Sequence, residues 1–238
     1  MSNPWQKINL SDYENHMSLE SGYQLQVLNQ MMQAQFTDYD IETIMILGVA
    51  GGNGLEHIDK NKIKKVYGVD VNPDFLAECE RRYHELQGVL ETICADLSVA
   101  NLKLPHSELL VANLLVEYIG YECFQKVVKL VGPRYVSCII QINTGESFVS
   151  DSPYLHAFDG LETVHHQMAE PELQNSMNEM DYKLIQMLEH QLPNGKKLVQ
   201  LDLKNRLMVL RSYSIHQMYL TLQLQITKQK HNCKNDSL

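Results

Sequence analysis

Residues 44–58 read IMILGVAGGNGLEHI, in which four glycines and an alanine separate an apolar run from what reads as the start of a helix. The run before Gly48 is β-branched and too short for a helix, so it is expected to be a buried strand. A strand that passes through a bare turn into a helix presents backbone N–H groups. It also lets a ligand approach where any Cβ would collide. In a parallel sheet such a turn lies at the carboxyl edge, where open α/β folds place their ligands.

The pattern continues on both sides of this stretch. Upstream, SDYE at 11–14 offers a capping box, and Leu25, Leu28, Met31, Met32 and Phe36 recur near helical spacing. Residues 1–37 are therefore expected to form an N-terminal helical cap. Downstream, KVYGVD at 65–70 reads as a strand. The following NPDFLAECERRYHELQG opens a helix with Asn72 as N-cap, Pro73 at the first helical position and Asp74 complementing the dipole. LETICAD and ELLVANL read as third and fourth strands, GYECFQKVVKLVGP as a helix stopped by Gly132-Pro133, and RYVSCIIQI as a fifth strand. Strands alternating with helices predict a doubly wound α/β fold with a mostly parallel sheet and helices on both faces. At the end, YKLIQMLEHQLPNGKKLVQLDLK holds two strand-like runs around Asn194-Gly195, a hairpin signal that makes the last pair antiparallel. The polar, Met-rich residues 143–181 are too long for an ordinary connection and read as a lid-like insertion. Residues 205–238 form a C-terminal tail without a functional signature.

Composition narrows the partners. The 238-residue chain is 44% hydrophobic, enough for one substantial domain over residues 38–204, and carries a formal net charge of −9. Affinity for the nucleic-acid backbone rests on clustered Lys and Arg, which are missing here beyond the short DKNKIKK at 59–65. A nucleic-acid partner is not expected. Five cysteines without a C-x-x-C pair suggest free thiols in a reducing compartment. No apolar run is long enough to span a membrane, and the N-terminus lacks a signal-like pattern, so a cytoplasmic protein is expected.

The glycine spacing selects among nucleotide-type ligands. Dinucleotide binding wants G-x-G-x-x-G, but counting from Gly48 puts Ala50 and Asn53 at the second and third positions. Read instead as G-x-A-x-G, with Gly48, Ala50 and Gly52, the turn resembles motif I of the class I methyltransferases, which bind S-adenosyl-L-methionine. Asp70 ends the second strand, 18 residues beyond Gly52, where an acid can accept both ribose hydroxyls. The resemblance implies a seven-stranded sheet with a reversed last strand. It places Asp70 and Val71 at the ribose, Asp96 at the adenine amino group with Leu97 beside the ring, and Asn113 and Leu114 of VANLLVEYIG near the methionine moiety. Two positions depart from the family: Ile46 stands where an acid is common, and Ala50 replaces a usual glycine. The N-terminal PWQKINLSDYENHMSLESGYQ joined to LGVAGGNGLEHI resembles bacterial members of this superfamily.

The resemblance implies methyl transfer to a small-molecule acceptor, because the aromatic-proline-proline signature of many amino-methylating enzymes is absent and NLLV stands in its place. No general base is diagnostic. Tyr13 and His16, three apart on one helix face, and Trp5 could fold over the cofactor; His165, with His156 and His166, sits in the insertion and could touch substrate. Trp5, Tyr13 and His16 are equally read as surface or helix-packing residues, and the three histidines of the insertion more readily as merely exposed ones. Adjacent His165 and His166 point apart and have no nearby Cys, so no metal site is expected. Two alternatives stand beside this reading: a non-catalytic S-adenosylmethionine-binding regulator, and an NAD-dependent oxidoreductase disfavoured by the glycine spacing. Oligomeric state carries no sequence signal.

Overall fold

The computed structural model describes residues 3–143, 149–150 and 152–206. Cys233 and the tail beyond Arg206 lie outside the described residues, as do residues 144–148 and 151 of the insertion.

Seven strands form one sheet in the order β3-β2-β1-β4-β5-β7-β6: β1 Thr43–Leu47, β2 Lys65–Asp70, β3 Leu90–Cys94, β4 Leu109–Asn113, β5 Tyr135–Ile142, β6 Tyr182–Gln191 and β7 Lys197–Asn205. β1 pairs in parallel with β2 and β4, β2 with β3, and β4 with β5. β7 runs antiparallel to β5, with Ile139 opposite Gln200. The turn before it is closed by the Leu192 N–H donating to the Lys196 carbonyl at 2.9 Å.

The period of two along β1 and β4 divides the core into two layers. Met45, Leu47, Leu110 and Ala112 face helices α4 (Val116–Val131) and α5 (Glu170–Asn178), meeting Phe124, Val127, Val128, Leu173 and Met177. Ile44, Ile46, Leu109 and Val111 face α2 (Gln24–Thr37) and α3 (Pro73–Arg82), meeting Met32, Phe36, Leu76 and Cys79. Helices on both faces and the reversed seventh strand are as the sequence led one to expect. Ile46, which stands where the family often has an acid, is one of these core residues.

Four local expectations need correction. The segment after the glycine turn is only a 3-10 turn, Leu55–His57, entered through Gly54 in the left-handed region. Ser11 is not a cap: α1 (Leu10–Met17) starts one residue earlier, after Asn9, which makes no side-chain capping bond. The N-terminal helical segment is two helices, broken where Tyr23 adopts a φ of 51°. Residues 143–181 are not uniform, because Leu173 and Met177 of α5 are fully buried in the core. The Asn72 cap is as read: its side chain accepts from the N–H groups of Asp74 and Phe75. No helix among the described residues is long and apolar enough to cross a membrane.

Candidate functional site

The carboxyl ends of β1 to β4 open onto one cavity of about 760 Å³, its open mouth included. Its wall takes Gly48 and Ala50 from the turn after β1, Asp70 and Val71 from β2, Asp96 and Leu97 from beyond β3, and Asn113 and Leu114 from β4. Eight of the nine predicted cofactor-binding residues thus meet around one space. The parallel register explains the convergence: the Ala95 N–H donates to the Asp70 carbonyl at 2.9 Å, so the two acidic strand ends lie side by side.

Gly52 is the exception. It does not line the cavity; a Cβ there would lie 2.6 Å from Cε2 of Tyr83 and 3.0 Å from Sγ of Cys79. The bare backbone at this position admits the protein's own α3. Gly51 is bare for a related reason, since its Cβ would meet the Glu14–Arg82 ion pair that ties α1 to α3. The N–H groups expected to greet a ligand are also largely spent within the protein. Gly48 and Val49 donate to the Val69 carbonyl at 2.8 and 3.1 Å, Gly52 to Val49 at 2.9 Å, and Ala50 to Oδ2 of Asp70 at 2.9 Å.

Ala50 holds a φ of 47°, a conformation that favours glycine. Ala50→Gly relieves that strain but loses a packed methyl and adds chain entropy, so stability measured by urea denaturation is expected to change by less than about 0.5 kcal/mol. Ala50→Val at the same φ is expected to cost about 2–3 kcal/mol. A valine variant as stable as the parent would contradict the strained turn.

Both carboxylates are anchored yet keep room for more. Oδ1 of Asp70 accepts the Asn72 N–H at 2.9 Å and Oδ2 the Ala50 N–H, leaving each oxygen a further lone-pair site. Burial raises the Asp70 carboxyl above its ordinary value, partly offset by these backbone bonds. Burial also pushes the Asp96 carboxyl up, but bonds from the Ser98 hydroxyl and N–H and from the Asn3 amide together hold it below the ordinary value. The Asn113 side chain, in contrast, turns away: its amide exchanges two hydrogen bonds, 2.8 and 3.0 Å, with Gln35 of α2. The following Leu114, at a φ of 53°, stands beside it in the cavity wall.

The N-terminal segment is stitched across the mouth. Asn3 donates to Oδ2 of Asp96 at 3.2 Å, and the Asn72 amide donates to the carbonyls of Trp5 and Ile8 at 3.0 and 3.2 Å. Trp5 then meets Tyr13 and Tyr118 edge to face, with centroids 5.9 and 4.9 Å apart. Sequence reasoning missed Asn3, Phe75 and Tyr118 in this wall; they carry no motif, and they arrive on the N-terminal segment, α3 and α4 respectively.

A second pocket adjoins the first and shares Trp5, Tyr13, Leu114 and Tyr118 with it. His16 and His165 line it. His16 shares a 2.7 Å hydrogen bond with the Ser152 hydroxyl, and burial, then Lys196, lowers the affinity of its ring for a proton. Burial likewise lowers the His165 value. His156 is exposed beside Asp159, and His166 packs over Gly120, so neither belongs to this lining. Glu117, one residue before Tyr118, was not anticipated. It is buried, accepts the Gln141 N–H on Oε1 at 2.8 Å, and leaves Oε2 without a hydrogen-bond partner among the described residues. Burial pushes its carboxyl up to about 7. No group of three or more His, Cys, Asp or Glu among the described residues could hold a metal ion.

The strand order, the reversed β7 and the cavity at the β1–β4 edge together decide the architecture. The chain has the class I methyltransferase fold. Superposition on solved structures supports this. N-methyltransferase NodS from Bradyrhizobium japonicum, in complex with S-adenosyl-L-homocysteine, aligns over 83% of this chain and 98% of its own with a TM-score of 0.58 at 11% identity. A SAM-dependent methyltransferase from Leishmania major aligns over 84% of this chain and 80% of its own, with a TM-score of 0.61 at 14% identity. The cyclase SpnF, which catalyses a (4+2) reaction, aligns over 77% and 83%, with a TM-score of 0.58 at 9% identity. At these identities the likeness is one of fold, and SpnF shows that the class I methyltransferase fold hosts other chemistry. No family profile and no curated protein matches the sequence.

Proposed function

We propose that this chain binds S-adenosyl-L-methionine in the larger cavity and directs its methyl group to a small-molecule acceptor. The observation that carries the reading is the meeting of Asp70, Asp96 and the Gly48–Ala50 turn around one space. Asp70 would hold the ribose hydroxyls on its remaining lone-pair sites, and Asp96 the adenine amino group. Val71, Ala95, Leu97 and Ile119 supply apolar walls for the flat base. Leu114 and the Ala50 turn would flank the methionine end.

When bound, the cofactor supplies a methyl carbon attached to a positively charged sulfur. The protein's contribution is then positioning and the exclusion of water. Trp5, Tyr13 and Tyr118 close the site from above, and the hydrogen bonds of Asn3 and Asn72 hold that closure in place. A covered site of this size, in a chain of net charge −9, favours a compact acceptor over a nucleic acid.

The test is calorimetry and thermal unfolding with S-adenosyl-L-homocysteine and with NAD. A ligand that binds only the folded state raises the melting temperature. The homocysteine compound is expected to do so and NAD is not. A rise with NAD alone would replace the proposal with a nicotinamide-binding one.

A further inference from the structure

The second pocket contains a feature the cofactor site does not use. Glu117 lies in the first turn of α4, three residues past Leu114, and only 3% of its surface is exposed. Burying one carboxylate oxygen without a partner is costly, and in folded proteins such groups are ordinarily satisfied. The geometry around it is constructed rather than incidental. The Glu117 carbonyl accepts the His166 N–H at 2.6 Å, and Gly120, at a φ of 71°, interrupts the helix one turn later.

The surroundings specify what the orphan oxygen can receive. In its ionised form it needs a hydrogen-bond donor, because a second acceptor would face it unfavourably. Aromatic rings make up one part of the remaining wall, Trp5, Tyr13, Tyr118 and Phe158, with His16 packed on Phe158 at a centroid distance of 4.7 Å. Met17, Leu114, Leu161 and the amides of Gln24 and Gln141 make up much of the rest. Aromatic faces attract a cation and accommodate a flat apolar body. Burial keeps both His16 and His165 toward their neutral forms, so the lining imidazoles do not oppose a cationic guest. Lys196, on the β6–β7 turn, acts on both histidines from outside this lining, and burial lowers its own ammonium to about 8.

We propose that this pocket is the acceptor subsite and takes a small arylalkyl amine, whose nitrogen is held by Oε2 of Glu117 against the aromatic wall. The proposal rests on the reading of the larger cavity as the cofactor site. The shared wall of Trp5, Tyr13, Leu114 and Tyr118 places the amine beside the end of that cavity where Leu114 lies. A carboxylate in this position also accepts the proton of the bound ammonium. The N–H bond breaks, an O–H bond forms on Oε2, and the electron pair stays on nitrogen.

The test uses the full chain saturated with S-adenosyl-L-homocysteine, titrated calorimetrically with phenethylamine, 2-phenylethanol and phenylacetate. The amine is expected to bind at least about tenfold more tightly than the alcohol, and phenylacetate more weakly than either. Glu117→Gln is expected to reduce amine affinity by about tenfold while leaving affinity for the homocysteine compound within about twofold. Should that variant not fold, the three-ligand series on the parent protein decides alone. An amine that fails to bind, or binds no better than the alcohol, overturns the acceptor assignment while leaving cofactor binding intact. Failure to bind the homocysteine compound overturns the cofactor reading beneath it.

Discussion

Gly52→Val is expected to lower the melting temperature by about 8–16 °C, the largest effect of any single change in the turn. Two costs add at this position. The backbone φ is +90°, where a β-branched residue is strained by about 1–3 kcal/mol. The new Cβ would also lie 2.6 Å from the Tyr83 ring, and overpacking of this kind costs about 1–3 kcal/mol more. At roughly 2–4 °C per kcal/mol for a domain of this length, the midpoint of the sum, about 4 kcal/mol, gives the stated range. Tyr83 cannot yield easily, because its hydroxyl donates to Oε2 of Glu56 at 3.0 Å. Scanning calorimetry of the variant, alone and with Tyr83→Ala, separates the two contributions. The second change should restore part of the loss by removing the clash. A double variant no more stable than Gly52→Val would mean that strain alone is responsible.

Asp70→Ala is expected to weaken binding of S-adenosyl-L-homocysteine at least tenfold in a calorimetric titration, a loss on the order of 1–3 kcal/mol. The substitution would leave the ribose hydroxyls without their acceptor and would also release the Ala50 and Asn72 N–H groups, so the turn loses its anchor together with the ligand's. Asp70→Asn keeps one acceptor oxygen and is expected to fall between the two. Unchanged affinity in Asp70→Ala would remove the ribose assignment. The sign of the pH dependence follows from the same burial. The folded carboxyl titrates above its ordinary 3.8, so its contribution to folding is fully present below that value and is lost as pH rises through the folded one. Ligand affinity runs the other way: it needs the anion, and it is expected to improve as pH rises through the folded value.

The prediction for Gly52 marks where the motif and the structure part. Glycine at that position was read as bareness toward a ligand, but the approaching group is Tyr83, thirty-one residues on in the chain. Asn113 shows the same kind of divergence. Its place at the end of β4 was legible, yet the direction of its amide depends on Gln35, carried by a helix on the far side of the sheet. Asp70 and Asp96 were easier to place. Asp70 ends β2 and Asp96 follows β3 by two residues, and parallel register brings such positions to one edge.

Glu117 was the least legible. In sequence it lies within VANLLVEYIG, ahead of the helix expected over GYECFQKVVKLVGP, and α4 in fact starts four residues earlier, at Val116, which puts Glu117 in its first turn. Its isolation depends on Gln141 from β5, on the aromatic rings of the N-terminal segment and on Phe158 of the insertion, all folded around one carboxylate.

Periodicity, caps and the Asn-Gly hairpin by themselves determined the α/β class, the run of strands and the reversal of the last one, because those signals are local and repeat along the chain. They also placed Asp70 at the end of β2, while Asp96, read as the end of the third strand, lies two residues past β3. Only the tertiary structure decided which glycine serves packing, which amide turns to α2, and which buried oxygen is left without a partner among the described residues. Those outcomes depend on contacts between residues far apart in the chain, and a side chain's neighbours across such distances are set by packing that no local pattern encodes.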